Sequence, residues 1–179
     1  FRRGLIRAIL ESFVHAGAMN DCKVTVVNVH SEFITDENVA EKLNGLDGLL
    51  VAPGFGFRGV GGKAIAVRYA RENNLPFFGI CLGMQMAAIE FARNVLGIED
   101  ADSTELQPHT ANPVIDMMEE QKKITMKVGT MRLGSFPCNF KEITLAQKIY
   151  GPSPISARHR HPWEFNTKYR TTFKTPGTT

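Results

Sequence analysis

Apolar residues along the first hundred positions alternate between helical and strand-like spacing. Within residues 1–17 they recur every three or four positions, and Gly17 follows as a stop signal, so a helix is predicted there. Residues 23–29 are rich in valine and predict a strand, and residues 48–52 form a short apolar run that predicts a second, buried strand. Helix and strand are therefore expected to alternate.

The same alternation continues as far as residue 96. It predicts helices over residues 39–43, 62–71 and 82–96 and a strand over residues 76–80. Strands joined by helices pair in parallel through right-handed crossovers, which cover the sheet on both faces. We therefore predict an α/β fold with an open, mostly parallel sheet and helices on both faces. Beyond residue 97 the pattern weakens to a strand over residues 124–128 and a short helix over residues 143–150.

Length and composition favour one domain. A chain of 179 residues with 43% hydrophobic content can bury one sizeable core, so residues 1–179 are expected to form a single domain. The net charge of +3 comes without a long basic run, so it does not imply a nucleic acid partner. No apolar run is long enough for a membrane span, so no membrane partner is expected.

The cysteines indicate a reducing compartment. Cys22, Cys81 and Cys138 are odd in number and lack the spacing of metal ligands, so neither a disulfide framework nor a metal site is expected. Together with the missing membrane span, this pattern predicts a soluble, cytoplasmic protein.

Cys81 stands in the most informative segment, Gly79-Ile-Cys81-Leu-Gly83, between a predicted strand and a predicted helix. The glycines have the spacing of a nucleophile elbow, a sharp turn whose small residues push the central side chain outward. At a helix N-terminus the backbone N–H groups and the helix dipole favour thiolate over thiol. The pattern predicts that Cys81 is the nucleophile of an acyl transfer, and the alternative is a buried structural cysteine.

A glycine-rich loop, residues 53–59, follows the predicted strand at residues 48–52. Ligands of parallel sheets bind beyond the carboxyl ends of the strands, where this loop and Cys81 both lie. Acyl transfer needs N–H donors for the oxyanion, and the candidates are Leu82, directly after the nucleophile, and Gly54 in the loop. The alternative for the loop is an ordinary tight turn.

Five segments carry a resemblance to a known family. They are Pro53-Gly-Phe-Gly-Phe-Arg-Gly59, Gly79-Ile-Cys-Leu-Gly-Met-Gln85, Ser103-Thr-Glu105, Gly129-Thr-Met-Arg-Leu-Gly134 and Arg158-His-Arg-His161. Together they resemble the glutaminase domain of CTP synthases, whereas Gly-x-Cys-x-Gly alone would indicate only a class I glutamine amidotransferase.

The resemblance implies the class I amidotransferase fold and hydrolysis of L-glutamine, which supplies ammonia for the ATP-dependent amination of UTP to CTP. It also implies a synthase domain of the same polypeptide, where ATP and Mg would bind, since no cofactor is expected in this domain. A homo-oligomer, a tetramer in the family, and GTP as an allosteric activator are implied as well.

The same resemblance assigns roles to residues. Cys81 is implied to form a γ-glutamyl thioester, with Gly54 and Leu82 as oxyanion donors. The implied glutamine-binding residues are Gly54, Leu82, Gln85, Glu105 and Trp163. Glu105 would pair with the α-ammonium of glutamine, and the alternative is a solvated loop carboxylate. The residues implied to lie near GTP are Phe55, Arg58 and Arg132, although both arginines could instead form surface salt bridges.

Three departures from the family's pattern are visible. Pro53 stands where the family has glycine, which removes an N–H and leaves Gly54 as the donor in the loop. Pro162 replaces an arginine that would bind the α-carboxylate of glutamine, so Arg160 or the backbone at Trp163 would have to serve. The Tyr-His-Pro-Glu run that carries the family's triad histidine and glutamate is absent, and we interpret His161-Pro-Trp-Glu164 as part of another segment.

The missing run leads us to expect a chain that is incomplete at both ends, with a His-x-Glu pair downstream of Thr179. Without that histidine the leaving ammonia lacks a proton donor, so efficient turnover by this chain alone is not expected. Two other interpretations stay open. One is another class I amidotransferase or a γ-glutamyl peptidase, and the other is a catalytically inactive regulatory module of the same fold.

Overall fold

The structure, a computed structural model, describes residues 2–117 and 132–174. The chain forms two compact units, Phe1–Glu90 and Phe91–Thr179. This division does not test whether residues 1–179 fold as a single domain, which stays a prediction.

The first unit alternates helices with two strands. Its helices are α1 (Arg2–Met19), α2 (Val39–Leu43), α3 (Val60–Glu72) and the start of α4 (Leu82–Asn94), and its strands are β1 (Leu49–Val51) and β2 (Phe77–Gly79). The strands pair in parallel, with Leu49 opposite Phe77 and Val51 opposite Gly79. The predicted order of elements from residue 39 to residue 96 is therefore confirmed, and so is the parallel pairing of these two strands.

The first thirty residues differ from prediction in two ways. Helix α1 continues past Gly17 to Met19. A methyl group on this glycine would lie 2.6 Å from the Cys22 carbonyl oxygen, so the glycine provides space for the returning chain rather than a stop. Residues 23–29 are not a strand, because none of the described residues pairs with them. Valine content makes a strand only where a neighbour completes the ladder.

Apolar packing holds α3 in place. A buried cluster consists of Ile34, Val39, Leu43 and Ala66. Gly62, in the first turn of α3, lies against the 3-10 turn Ser31–Phe33 so closely that a Cβ would be 1.8 Å from the Ser31 carbonyl oxygen. Because no Cβ can occupy that space, α3 begins directly on this turn, which fixes the far end of the loop that precedes it.

Among the described residues, the second unit contains the end of α4, two small sheets and one further short helix. One sheet has the order β3-β4-β7, formed by β3 (Ala101–Ser103), β4 (Asn112–Met117) and β7 (Trp163–Phe165). The other is the antiparallel pair of β5 (Arg132–Cys138) and β6 (Ile155–His161). The predicted short helix is α5 (Leu145–Tyr150), which begins after Thr144 because that side chain accepts a hydrogen bond from the Gln147 N–H. Two 3-10 turns follow, Thr167–Tyr169 and Thr172–Lys174.

The α/β fold class is confirmed. Among the described residues the pairs β1–β2 and β3–β4 are parallel, and the pairs β4–β7 and β5–β6 are antiparallel. The strand predicted over residues 124–128 lies outside the described residues. Within the described ranges, no helix has the length and apolar character needed to cross a membrane.

Candidate active site

Cys81 occupies the turn between β2 and α4. Its φ is +56°, in the left-handed region that residues other than glycine rarely adopt. The turn is held on both sides, since the Ile80 N–H donates to the Val51 carbonyl oxygen and the Gly83 N–H to the Ile80 carbonyl oxygen, each over 3.0 Å. Strained backbone that the surroundings over-determine is typical of functional sites. The predicted strand, cysteine and helix therefore form a sharp elbow with a half-buried thiol.

The two glycines of the elbow are required by space. A Cβ on Gly79 would lie 2.6 Å from the Met84 backbone nitrogen, and a Cβ on Gly83 would lie 2.1 Å from the Val51 carbonyl oxygen. Cβ atoms are not found that close to backbone atoms, so no side chain fits at either position. The first turn of α4 can thus rest directly on the end of β1.

The loop of residues 53–59 leaves the sheet beside the elbow. Val51 and Gly79 are register partners, so both connections begin at the same edge of the strand pair. A Cβ on Gly54 would lie 3.2 Å from Leu82 Cδ2 and 3.8 Å from Lys63 Nζ. The two predicted oxyanion donors, Gly54 and Leu82, are therefore neighbours, and a lysine ammonium lies next to them.

Gln85 belongs to the same neighbourhood. The residue is 5% exposed, and its backbone N–H donates to the Cys81 carbonyl oxygen over 3.1 Å in the first turn of α4. The structure thus brings Cys81, Gly54, Leu82 and Gln85 together in the first unit.

The outer part of the loop is exposed. Phe55 and Phe57 are 56% and 69% exposed. Arg58 Nε lies 2.6 Å from Glu32 Oε1, and this hydrogen bond raises the pKa of the Arg58 guanidinium further above its ordinary value. The same carboxylate is 3.6 Å from His30 Nδ1. Arg58 therefore forms the surface salt bridge that its sequence position had left open as an alternative to nucleotide binding.

Glu105 lies in a tight turn of the second unit. Its N–H donates to the Oγ of Ser103, a fully buried residue, over 3.1 Å. The neighbouring Thr104 is also anchored, because its N–H donates to the Ile115 carbonyl oxygen over 3.0 Å and its hydroxyl to Asp116 Oδ1 over 2.9 Å. These bonds hold the half-buried Glu105 in a defined turn directly after β3.

Pro162 separates two strands that belong to different sheets. His161 ends β6 and pairs with Arg132 of β5, whereas Trp163 begins β7 and pairs with Met117 of β4. Proline lacks an N–H and interrupts a ladder, which suits a residue between two pairings. Because β3 runs parallel to β4, the turn after β3 and the start of β7 lie at the same end of this sheet. Glu105 and Trp163 are therefore at the same end of the sheet, on opposite sides of β4.

The predicted residues thus fall into two groups, one in each unit. Arg132 lies in β5, and the part of its motif at residues 129–131 is outside the described residues. Sequence reasoning missed two contacts in the first unit, the Lys63 ammonium near Gly54 and a buried ion pair between Arg71 and Glu90. Neither has a local signal, because the partners are separated in sequence and meet only through packing.

A family model described as class-I glutamine amidotransferase matches residues 5–178. The chain belongs to the class-I glutamine amidotransferase family. It is 61% identical over 163 residues to the CTP synthase of Flavobacterium johnsoniae, covering 91% of this chain and 30% of that protein. It is also 58% identical over 171 residues to the CTP synthase of Cytophaga hutchinsonii, covering 96% of this chain and 32% of that protein.

A solved structure gives a matching result for the amidotransferase fold. The glutaminase domain of Trypanosoma brucei CTPS with bound acivicin superposes with a TM-score of 0.85 at 35% identity, covering 94% of this chain and 65% of that chain. The present amidotransferase chain spans only about 30% of the length of the curated relatives that it matches. The similarity therefore concerns one portion of those relatives.

Proposed function

We propose that this chain is the glutaminase domain of a CTP synthase and that Cys81 hydrolyses L-glutamine. The observation that carries the proposal is the elbow, in which Cys81 has a φ of +56° and is followed by Leu82, whose side chain lies against Gly54 of the loop. The similarity to CTP synthases, at 61% and 58% identity, supports the choice of this family over other amidotransferases.

The reaction begins with the Cys81 thiolate. Its sulfur attacks the side-chain amide carbon of glutamine, and the carbonyl oxygen takes up the electron pair as an oxyanion. The N–H groups of Gly54 and Leu82 would stabilise that charge, because donors placed in advance need not reorganise in the transition state. Cleavage of the C–N bond releases ammonia, whose added proton would come from a general acid such as the triad histidine that the resemblance implies, and water then hydrolyses the γ-glutamyl thioester to glutamate.

Substrate binding would use the other predicted residues. The Glu105 carboxylate would pair with the α-ammonium of glutamine, a charge-assisted hydrogen bond that the anchored turn holds in place. Gln85, buried beside Cys81, would contact the substrate close to the reacting amide. The backbone at Trp163 would bind the α-carboxylate of glutamine, a role that the family gives to the arginine replaced here by Pro162.

The wider setting of this function is also a proposal. The ammonia would pass to a synthase domain of the same polypeptide, where ATP and Mg would drive the amination of UTP, within a cytoplasmic homo-oligomer. The exposed ring of Phe55 fits a nucleotide base, and the exposed Arg58 fits a phosphate if it exchanges Glu32 for that ligand. Together with Arg132, these residues would bind the activator GTP.

Covalent labelling tests the proposed nucleophile. A glutamine-like chloroketone should label Cys81 stoichiometrically, because its carbonyl would occupy the oxyanion site while the thiolate displaces chloride. Peptide mapping identifies the labelled residue, and Cys22 and Cys138 serve as internal controls. Equal labelling of the three cysteines would refute the assignment and favour a catalytically inactive module of this fold.

The substrate contact at Glu105 is tested by kinetics. In the complete enzyme, Glu105→Ala should raise the KM for glutamine much more than it lowers kcat, because the carboxylate holds the ammonium in the ground state and the transition state alike. The loss of a hydrogen bond to a charged group costs about 1.5–3 kcal/mol. An unchanged KM would mean that Glu105 is a solvated loop carboxylate.

A further inference from the structure

A buried ion pair joins the two helices that follow the candidate donors. Arg71 Nε donates to both carboxylate oxygens of Glu90 over 3.1 Å, and Arg71 Nη2 donates to Glu90 Oε1 over 2.8 Å. The Glu90 side chain is 2% exposed, whereas that of Arg71 is 33% exposed. The carboxylate is therefore removed from water while the guanidinium reaches it, and a planar fork binds both oxygens at once.

The place of the pair in the two helices is informative. Helix α3 begins at Val60, directly after the loop that contains Gly54, and Arg71 lies in its last turn. Helix α4 begins at Leu82, and Glu90 lies two turns further along. Helix α4 is a stiff connection between Leu82 at its start and Glu90, and helix α3 connects Arg71 to the end of the loop that contains Gly54.

At the donor end, the loop before α3 meets the start of α4 through a softer contact. Gly54 and the Leu82 side chain lie at van der Waals distance there, which limits their approach but does not set a direction. A bidentate guanidinium–carboxylate contact fixes distance and angle together. The pair is therefore a directional contact between α3 and α4.

We infer that Arg71 and Glu90 are positioning residues of the active site, whose ion pair sets the spacing of the Gly54 and Leu82 N–H groups. This inference rests on the proposed function at Cys81. A buried ion pair is by itself weak evidence for stability, whereas its best-attested role is to select one register of packed elements. Misplacement of reacting groups by about 1 Å can lower a rate by about 10²-fold, so a small shift of α3 on α4 is sufficient to matter.

Two alkylating reagents distinguish an effect of the ion pair on the positions of the N–H donors from an effect on folding. A glutamine-like chloroketone reacts fast only if its carbonyl oxygen finds both donors, while iodoacetamide needs only an accessible Cys81 thiolate. In each reaction a C–S bond forms and a halide leaves. The ratio of the two rate constants at Cys81 therefore reports the donor geometry. Glu90→Gln should lower this ratio about tenfold at a temperature where circular dichroism shows a folded chain.

The double variant Arg71→Met/Glu90→Leu keeps the experiment decisive if Glu90→Gln folds poorly. Apolar pairs of similar volume often replace buried ion pairs without loss of stability, so this variant should keep its Tm and still show the lowered ratio. Arg68→Met is the matched control on α3. It removes an exposed ion pair with Asp36, which does not involve α4, and should leave the ratio unchanged.

The outcomes separate the inference from the proposed function. A wild-type preference for the chloroketone that persists in Glu90→Gln and in the double variant would overturn the positioning role alone. A wild-type chain without any preference would overturn the proposed function and the inference with it. A lowered ratio in both variants, with Arg68→Met unchanged, supports the inference.

Discussion

The elbow at residues 79–83 and the glycine loop at residues 53–59 leave the same edge of the β1–β2 pair, yet different physical constraints shape them. In the elbow, a Cβ on Gly79 or Gly83 would collide with backbone atoms. In the loop, Gly56 has a φ of +73° and nothing within 4 Å of a Cβ. The elbow needs glycine for space, whereas Gly56 is needed for conformation.

This difference shows how rigidly each part of the candidate site is positioned. Close backbone contacts hold the elbow around Cys81 in one conformation. This suits a sulfur atom that must attack a carbonyl carbon at a defined position. The outer loop carries the exposed rings of Phe55 and Phe57, which suits a surface that meets a ligand from solvent. Gly54 belongs to the loop but contacts Leu82 of the elbow, so it shares features of both regions.

The largest effect is expected at the elbow. Gly83→Ala should lower the free energy of unfolding by more than about 3 kcal/mol, because the new Cβ would lie 2.1 Å from the Val51 carbonyl oxygen and backbone must move. Chemical denaturation measures the change. Gly61→Ala is the matched control, since Gly61 is likewise the second residue of its helix but has nothing within 4 Å. It should stabilise the fold by about 0.5–1 kcal/mol. Similar losses in both variants would contradict the spatial argument.

Gly54→Ala sharpens the comparison where loop and elbow touch. The methyl group would lie 3.2 Å from Leu82 Cδ2, and a side chain can yield by a few tenths of an ångström, so stability should fall by less than about 1 kcal/mol. Displacement of the proposed donor should lower kcat/KM for glutamine about tenfold, equal to about 1.4 kcal/mol. Steady-state assays of the complete enzyme measure this. Full activity would remove Gly54 from the proposed donors.

Gly56→Ala tests conformation without crowding. The alanine has room but must adopt a left-handed φ, which costs about 1 kcal/mol. Gly56→Asn is the control, because asparagine tolerates this region better and should cost less. Both variants are compared by urea denaturation. If alanine and asparagine were equally harmful, something other than φ would constrain this position.

The smallest structural effect is expected at the rim of the loop. Arg58→Ala removes the contact with Glu32, and because exposed ion pairs contribute little, Tm should not change measurably. A clear drop in Tm by differential scanning calorimetry would mean that the rim supports the fold. Under the proposed role in GTP binding, the same variant should need more GTP for half-maximal activation of the complete enzyme.

The candidate site could be predicted in part because its strongest element is local. Strand, glycines, cysteine and helix are contiguous at residues 76–96, so spacing alone indicated the elbow that the structure contains. The loop after β1 was predicted for the same reason. The roles of Gln85, Glu105 and Trp163 came from a resemblance and stay proposals, although the turn of Glu105 is anchored as a binding residue requires.

Local pattern failed where a distant partner was decisive. Residues 23–29 have the composition of a strand, but β structure requires a neighbour, and the described residues do not supply one. Gly17 resembled a helix stop, yet the structure requires glycine there because a Cβ would collide with the Cys22 carbonyl oxygen. No periodicity in the sequence predicts the ion pair between Arg71 and Glu90, because the two residues lie on different helices.

The sequence by itself determined the alternation of helices and strands, the elbow around Cys81 and the family, because these depend on neighbouring residues and on short motifs. Only the tertiary structure decided which glycines are required for space, that Gly54 lies against Leu82, and that Arg58 binds Glu32. The physical reason is that close packing and ion pairing depend on distances between residues far apart in the chain, which spacing along the chain does not encode.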